Sequence, residues 1–243
     1  MGVVKSALPW GEDVNAVWKG VAEAETRGGK PKGKVQGGKP KGKPDGGALP
    51  GKVDGRVARS QRTRAAVLDA LIALLDEGQF KPPAKVIAER SGVSTRSVFQ
   101  HFPDLETLLI AAVELGVNRF APSVQPIPTD LPRKARIDAL VEQRFALFER
   151  AGNVYWAGQI AAPISATLKA TFAHVEYALR VQIGVTFKPE LATLRKPKRL
   201  ALIARIAAAT GFHHWYALRR VEGVDPAAAR AAMAEMLAVL LPE

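Results

Sequence analysis

The chain has 243 residues, is 47% hydrophobic, and carries a formal net charge of +12 with no cysteine. That length suffices for one or two domains with a buried core, and the missing thiol excludes disulfides and thiolate chemistry. No apolar run approaches the roughly 20 residues a membrane span needs. Pro9, Gly11, Glu12 and Asp13 interrupt the place where a signal core would lie, so a cytoplasmic protein without a membrane partner is expected.

The charge is local. Residues 27–64 hold twelve bases against two acids, a net +10, which suits contact with a polyanion. Before this stretch, Val14, Val17, Trp18, Val21 and Ala22 fall at helical spacing over 12–25, a short amphipathic helix that needs a partner surface to persist. Residues 28–45 are two copies of a nine-residue unit, Gly-Gly-Lys-Pro-Lys-Gly-Lys followed by Val-Gln or Pro-Asp. Such a segment buries almost nothing, so residues 1–55 read as a disordered Lys/Gly/Pro-rich tail. Gly28 to Lys34 matches the first seven positions of a phosphate-binding loop, but Val35 stands where a hydroxyl must hold magnesium. Lys41-Gly42-Lys43-Pro44 is a lysine version of a minor-groove hook, and plain phosphate attraction is its stronger use.

From Arg59 onward the pattern is helical, and an all-α protein is expected. Helix one spans about 60–77, with Ser60 as cap, Gly78 as stop, and Val67, Leu68, Leu71, Ile72, Leu74 and Leu75 as its apolar side. Helix two opens near Pro83, carries Val86, Ile87 and Ala88, and stops at Gly92. Helix three starts from Ser94 and contains Val98, Phe99 and Phe102. Pro103-Asp104 opens helix four with Leu105, Leu108, Leu109, Ala112 and Val113. Pro122, Pro126, Pro128 and Pro132 then separate a domain at 56–120 from one at 130–243. Five further helices are expected there, over about 133–150, 154–161, 163–187, 197–222 and 226–241.

Residues 83–102 carry the functional signal. A short helix ends at Ser91-Gly92, Val93 follows, and a serine-capped helix begins. Gly92 allows a steep crossing, and Ile87, Ala88, Val93, Val98 and Phe102 pack beneath. Ser94, Thr95, Arg96, Ser97, Gln100 and His101 remain outside. A recognition helix needs that set: hydroxyls for phosphate, arginine and glutamine for base edges. With Phe99, Lys85 of helix two, and Arg56, Arg59 and Arg62 of the basic arm, these are the expected residues for contacting a double-stranded DNA operator.

Ile87-Ala88-Glu89-Arg90-Ser91-Gly92-Val93-Ser94, Val98-Phe99-Gln100-His101-Phe102-Pro103 and Glu106-Thr107-Leu108-Leu109 resemble the tetracycline-repressor (TetR/AcrR) family of transcriptional regulators. The resemblance covers about residues 58–118. It implies an all-α homodimer with a three-helix DNA-binding head, a connecting fourth helix, and a body that binds a small-molecule effector. Two departures stand out. The family has a phosphate-contacting tyrosine where Phe99 is, and a phosphate-contacting lysine where Leu105 is; neither side chain here makes that bond, and Arg56, Arg59, Arg62 and Arg64 are placed to compensate.

The resemblance puts an effector cavity in the body, where Phe145, Trp156, Phe172 and Tyr177 are the expected lining, with Gln159, His174 and Glu176 as polar anchors. It puts the dimer interface on helices 197–222 and 226–241, through residues such as Leu200, Ala204, Ala208, Trp215, Met233, Met236 and Leu237. No catalytic set, cofactor or metal site is expected: adjacent His213 and His214 diverge by about 100° on a helix and have no thiolate nearby. The function read from sequence is a ligand-responsive, sequence-specific DNA-binding repressor. The alternative is an architectural or non-specific DNA-binding protein driven by its lysine-rich tail.

Overall fold

The structure is a computed structural model that describes residues 55–242. The expected disordered tail, the helix at 12–25 and the lysine repeat lie outside the described residues. Among the described residues, ten α-helices follow in order: α1 Gly55–Asp76, α2 Ala84–Ser91, α3 Thr95–His101, α4 Leu105–Phe120, α5 Arg133–Ala161, α6 Ala166–Thr186, α7 Lys188–Ala192, α8 Lys196–Ala209, α9 Phe212–Tyr216 and α10 Pro226–Leu240. A 3-10 turn at Ala121–Ser123 and a wide helical turn at Ala217–Val221 complete the order. No strand occurs among the described residues.

Helix α1 starts five residues before the expected position, and Ser60 lies inside it rather than capping it. Arg56 and Arg59, expected ahead of the helix, therefore join Arg62 and Arg64 on its turns. At the other end Gly78 adopts a left-handed φ of 85°, which a side chain would strain, and its N–H donates to the Leu75 carbonyl at 2.9 Å.

The body departs from expectation at two glycines. Residues 133–161 form one helix of 29 residues, not two. Gly152 sits in its middle because the Trp215 ring packs against the backbone there; a Cβ would stand 2.6 Å from Cη2 of Trp215. Conversely, the expected helix over 197–222 breaks at Thr210-Gly211. The Thr210 hydroxyl donates to the Ile206 carbonyl at 2.8 Å, and Gly211 turns to an extended conformation with ψ 172°. A Cβ at Gly211 would lie 2.6 Å from the Ala207 oxygen. The break turns Phe212 and Trp215 inward, where both are fully buried. The last helix begins as expected: Asp225 accepts from the Ala227 and Ala228 amides at 2.9 and 3.2 Å.

Two clusters hold the fold. One joins α1 to α4 through Leu71, Leu74, Leu75, Ile87, Val98, Phe102 and Leu108, and it also takes in Val113, Val154, Ala157, Leu168 and Phe172. The core of the first four helices therefore continues into α5 and α6. Each such large buried side chain contributes about 1.5–3 kcal/mol, so parting α4 from α5 and α6 would be costly. The other cluster gathers Phe145, Phe148, Ile183, Phe187, Ile206, Phe212, Trp215, Met233 and Leu237.

Polar stitches close the body. Arg133 at the start of α5 donates to the carbonyls of Ala238, Leu241 and Pro242 at 2.9, 2.7 and 2.8 Å, capping the end of α10. Arg136 grips both oxygens of Glu190 at 2.6 and 2.9 Å and the Thr186 carbonyl at 2.8 Å. No helix among the described residues is long and apolar enough to cross a membrane.

Candidate nucleic-acid interface

The unit at 83–102 is built from its turn outward. Gly92 terminates α2 at φ 69°, and the Val93 amide reaches back to the Ala88 carbonyl at 3.1 Å, the left-handed close that favours glycine. Ser91 ties its hydroxyl to the Ile87 carbonyl at 2.7 Å. Ser94 then caps α3, accepting from the Ser97 amide at 3.1 Å, with the two hydroxyls 3.0 Å apart. Ile87, Ala88, Val98 and Phe102 are buried beneath.

Buried Val98 and Phe102 orient the other side of α3 outward. Arg96, Phe99 and Gln100 are exposed, and Thr95, Ser97 and His101 are half-buried. Phe99 is 44% accessible and Leu105 at the start of α4 is 39% accessible, so both departures from the resembled family present apolar surface. Lys85 lies exposed on α2, 4.0 Å from Glu89. Arg56, Arg59 and Arg62 are exposed on α1, and the Arg62 Nε donates to the Ala58 carbonyl.

Three links in this region had no periodicity to announce them. The Arg64 guanidinium lies 4.4 Å from the centre of the Phe102 ring, joining α1 to the residue that ends α3. Arg90 and Glu77, thirteen residues apart, share two hydrogen bonds of 2.7 Å, and the Arg90 hydrogen bonds hold the Glu77 carboxyl below its ordinary range. Asn153 of α5 donates to the Asp76 carbonyl at the end of α1, at 3.2 Å. A cation over a ring, a long-range ion pair and a helix-end bond depend on how helices cross, which spacing does not encode.

The body residues expected to line a cavity separate. Phe145 and Phe172 are buried, and Arg230 lies 4.3 Å over the Phe145 ring. Trp156 is half-buried and stacks on Tyr216 with centroids 4.6 Å apart. Tyr177 is 63% accessible on α6, so in the single chain it faces out rather than into an interior. Glu176 accepts a hydrogen bond from the Tyr155 hydroxyl at 2.9 Å, while the His174 Nε2 is buried without a partner. A groove of about 850 Å³ between α5 and α10 is lined by Arg133, Ile137, Val141, Glu142, Arg230 and Ala234 among others. A crevice of about 320 Å³ runs from Leu71, Phe80 and Ile87 to Leu105 and Ile164. None of the four expected residues lines either one.

The residues expected to form a dimer interface divide in two. Trp215, Met233 and Leu237 are fully buried inside the chain. Leu200, Ala204 and Ala208 of α8 and Met236 of α10 remain exposed, as does Val239 at 85%.

No family model matches this sequence, and no curated protein matches it. Solved structures do. A transcriptional regulator from Rhodococcus is 16% identical with a TM-score of 0.58, over 74% of this chain and 95% of that one. A TetR-family transcriptional regulator from Streptomyces coelicolor is 21% identical with a TM-score of 0.60, over 76% and 80%. A TetR transcription regulator from Haloarcula marismortui is 16% identical with a TM-score of 0.56, over 75% and 100%. The all-helical fold of this chain is that of TetR-family transcriptional regulators.

Proposed function

We propose that this chain, folded as TetR-family regulators are, is a sequence-specific DNA-binding transcriptional repressor that acts as a homodimer and loosens its grip when a small-molecule effector enters the body. No enzymatic step belongs to this reading. The observation that carries it is the α2–turn–α3 unit, in which Val98 and Phe102 are buried while Arg96 and Gln100 face solvent. Arginine and glutamine are the side chains that read guanine and adenine edges in the major groove. The exposed apolar stripe of Leu200, Ala204, Ala208, Met236 and Val239 supports dimerisation through α8 and α10. Two heads would then reach major grooves about 34–36 Å apart, or a multiple of that.

The test is a mobility shift of the full chain on genomic fragments with excess random competitor. The native protein should select fragments, and Arg96→Ala with Gln100→Ala should lose the preference while still binding random DNA. Sedimentation should give a dimer, and Val239→Arg should give a monomer. A chain that shows no fragment preference at any salt concentration refutes the reading.

A second reading has its own observation. Phe99 and Leu105 offer apolar surface where the resembled family anchors phosphates, while residues 27–64 hold a net charge of +10. Non-specific binding driven by the tail would show a salt slope of about 0.9 per neutralised phosphate. Changing the six repeat lysines, Lys30, Lys32, Lys34, Lys39, Lys41 and Lys43, to glutamine would abolish it.

A further inference from the structure

Two arginines are buried in the body among the described residues, and only one is held in an ion pair. Arg136 is 5% accessible and grips Glu190 through two hydrogen bonds. Arg144 is 1% accessible and has no ion pair among the described residues. Its Nη2 donates to the Leu179 carbonyl at 3.0 Å, and its Nη1 is buried with no partner at all. Burial pulls the Arg144 pKa down to about 10, so the guanidinium still carries its charge at neutral pH. A buried cation with an idle donor is costly to the fold, and each such group in a folded protein calls for an account of the work it does.

The surroundings say what that work is. Arg144, Phe148 and Tyr155 share one face of α5, at spacings of four and seven. The Phe148 and Tyr155 rings lie 6.1 Å apart, and Phe212 reaches both, at 5.6 and 4.5 Å. Arg144 and Tyr155 both meet α6, at Leu179 and at Glu176 three residues before it, which sets the cation beside the aromatic row. The acid closest in influence, Glu176, is already engaged by the Tyr155 hydroxyl and stands outside ion-pair distance of Arg144. Phe212 and Trp215 lie on the short helix that follows the break at Gly211 and runs into the wide turn over Ala217–Val221.

We propose that the Arg144 guanidinium anchors a small organic anion, a carboxylate on an aromatic or aliphatic body, and that this anion is the effector of the regulator. The effector role rests on the function proposed above; the anion site does not, because its occupancy is measured without DNA. The unpartnered Nη1 supplies a charge-assisted hydrogen bond to the carboxylate, and Phe148, Tyr155 and Phe212 take the apolar body. A neutral isostere leaves the cation unpaired and is rejected for that reason.

The experiment titrates the full chain with 2-naphthoate and decanoate, each against its own carboxamide, by calorimetry. At least one carboxylate should bind, and its amide should bind at least about tenfold more weakly. Arg144→Met should keep its helical signal, melt no lower than the native chain, and lose carboxylate binding; Arg144→Lys should retain part of it. The proposal is overturned if neither carboxylate binds at millimolar concentration, if acid and amide bind alike, or if Arg144→Met binds the acid as well as the native chain does. It is also overturned if both variants fail to fold, because Arg144 is then a structural cation. Adding the bound carboxylate to a mobility shift separates the two readings. Release of DNA supports the effector role. Binding without release keeps the anion site and removes that role.

Discussion

Phe172 of α6 lies so close to Gly158 of α5 that a Cβ there would stand 2.6 Å from its Cζ. The same Cβ would be 2.9 Å from Cγ2 of Val113, so the site is where α4 meets the body. Gly158→Ala must push α4 or the Phe172 ring aside. Overpacking of this kind costs about 1–3 kcal/mol, read as a lowered urea midpoint with an unchanged slope. Because α4 also carries Leu108 of the head core, the variant should weaken DNA binding by more than its loss of folded protein explains.

The Arg136–Glu190 pair makes stability depend on acid. Burial alone would raise the Glu190 pKa, but the Arg136 hydrogen bonds and charge outweigh it and hold the carboxyl below its ordinary range. A lowered folded pKa gives stability that is present above the unfolded value, and that is lost as pH falls through the folded one. Urea melts should therefore show a stability loss that begins below about pH 4.5 and continues downward. Glu190→Gln leaves Arg136 buried without its counter-charge. It should cost about 3–5 kcal/mol at neutral pH and flatten the acid limb of the profile.

Ser94 caps a helix only seven residues long, so its bond to the Ser97 amide is a large share of what starts α3. Ser94→Ala should cost about 1 kcal/mol. Hydrogen exchange should be faster in α3 and unchanged in α10. Faster exchange everywhere would mean that the cap supports the whole fold instead.

At the exposed Phe99 a single oxygen is expected to restore a phosphate contact. Phe99→Tyr should tighten DNA binding by about tenfold, the worth of one hydrogen bond to a charged group. Stability should not change, since the ring is already 44% accessible. An unchanged affinity would place Phe99 away from the backbone of the DNA.

The local signals were legible because their causes are local. Gly92, Ser94 and Asp225 act on amides within a few residues, and the apolar spacing that buries Val98 and Phe102 belongs to one helix. From these the sequence determined an all-helical chain with a helix-turn-helix near 83–102 and a capped last helix. Glycine was ambiguous. Gly152 and Gly211 look alike in sequence, yet one sits inside α5 and the other breaks the run between α8 and α9. The difference is the Trp215 ring lying on Gly152 and the extended turn at Gly211. The inward fate of Trp215 and Met233, the outward one of Tyr177, and the unpartnered Nη1 of Arg144 were likewise decided by how helices cross. Periodicity says that a helix has a buried face, and only the tertiary packing says what that face meets.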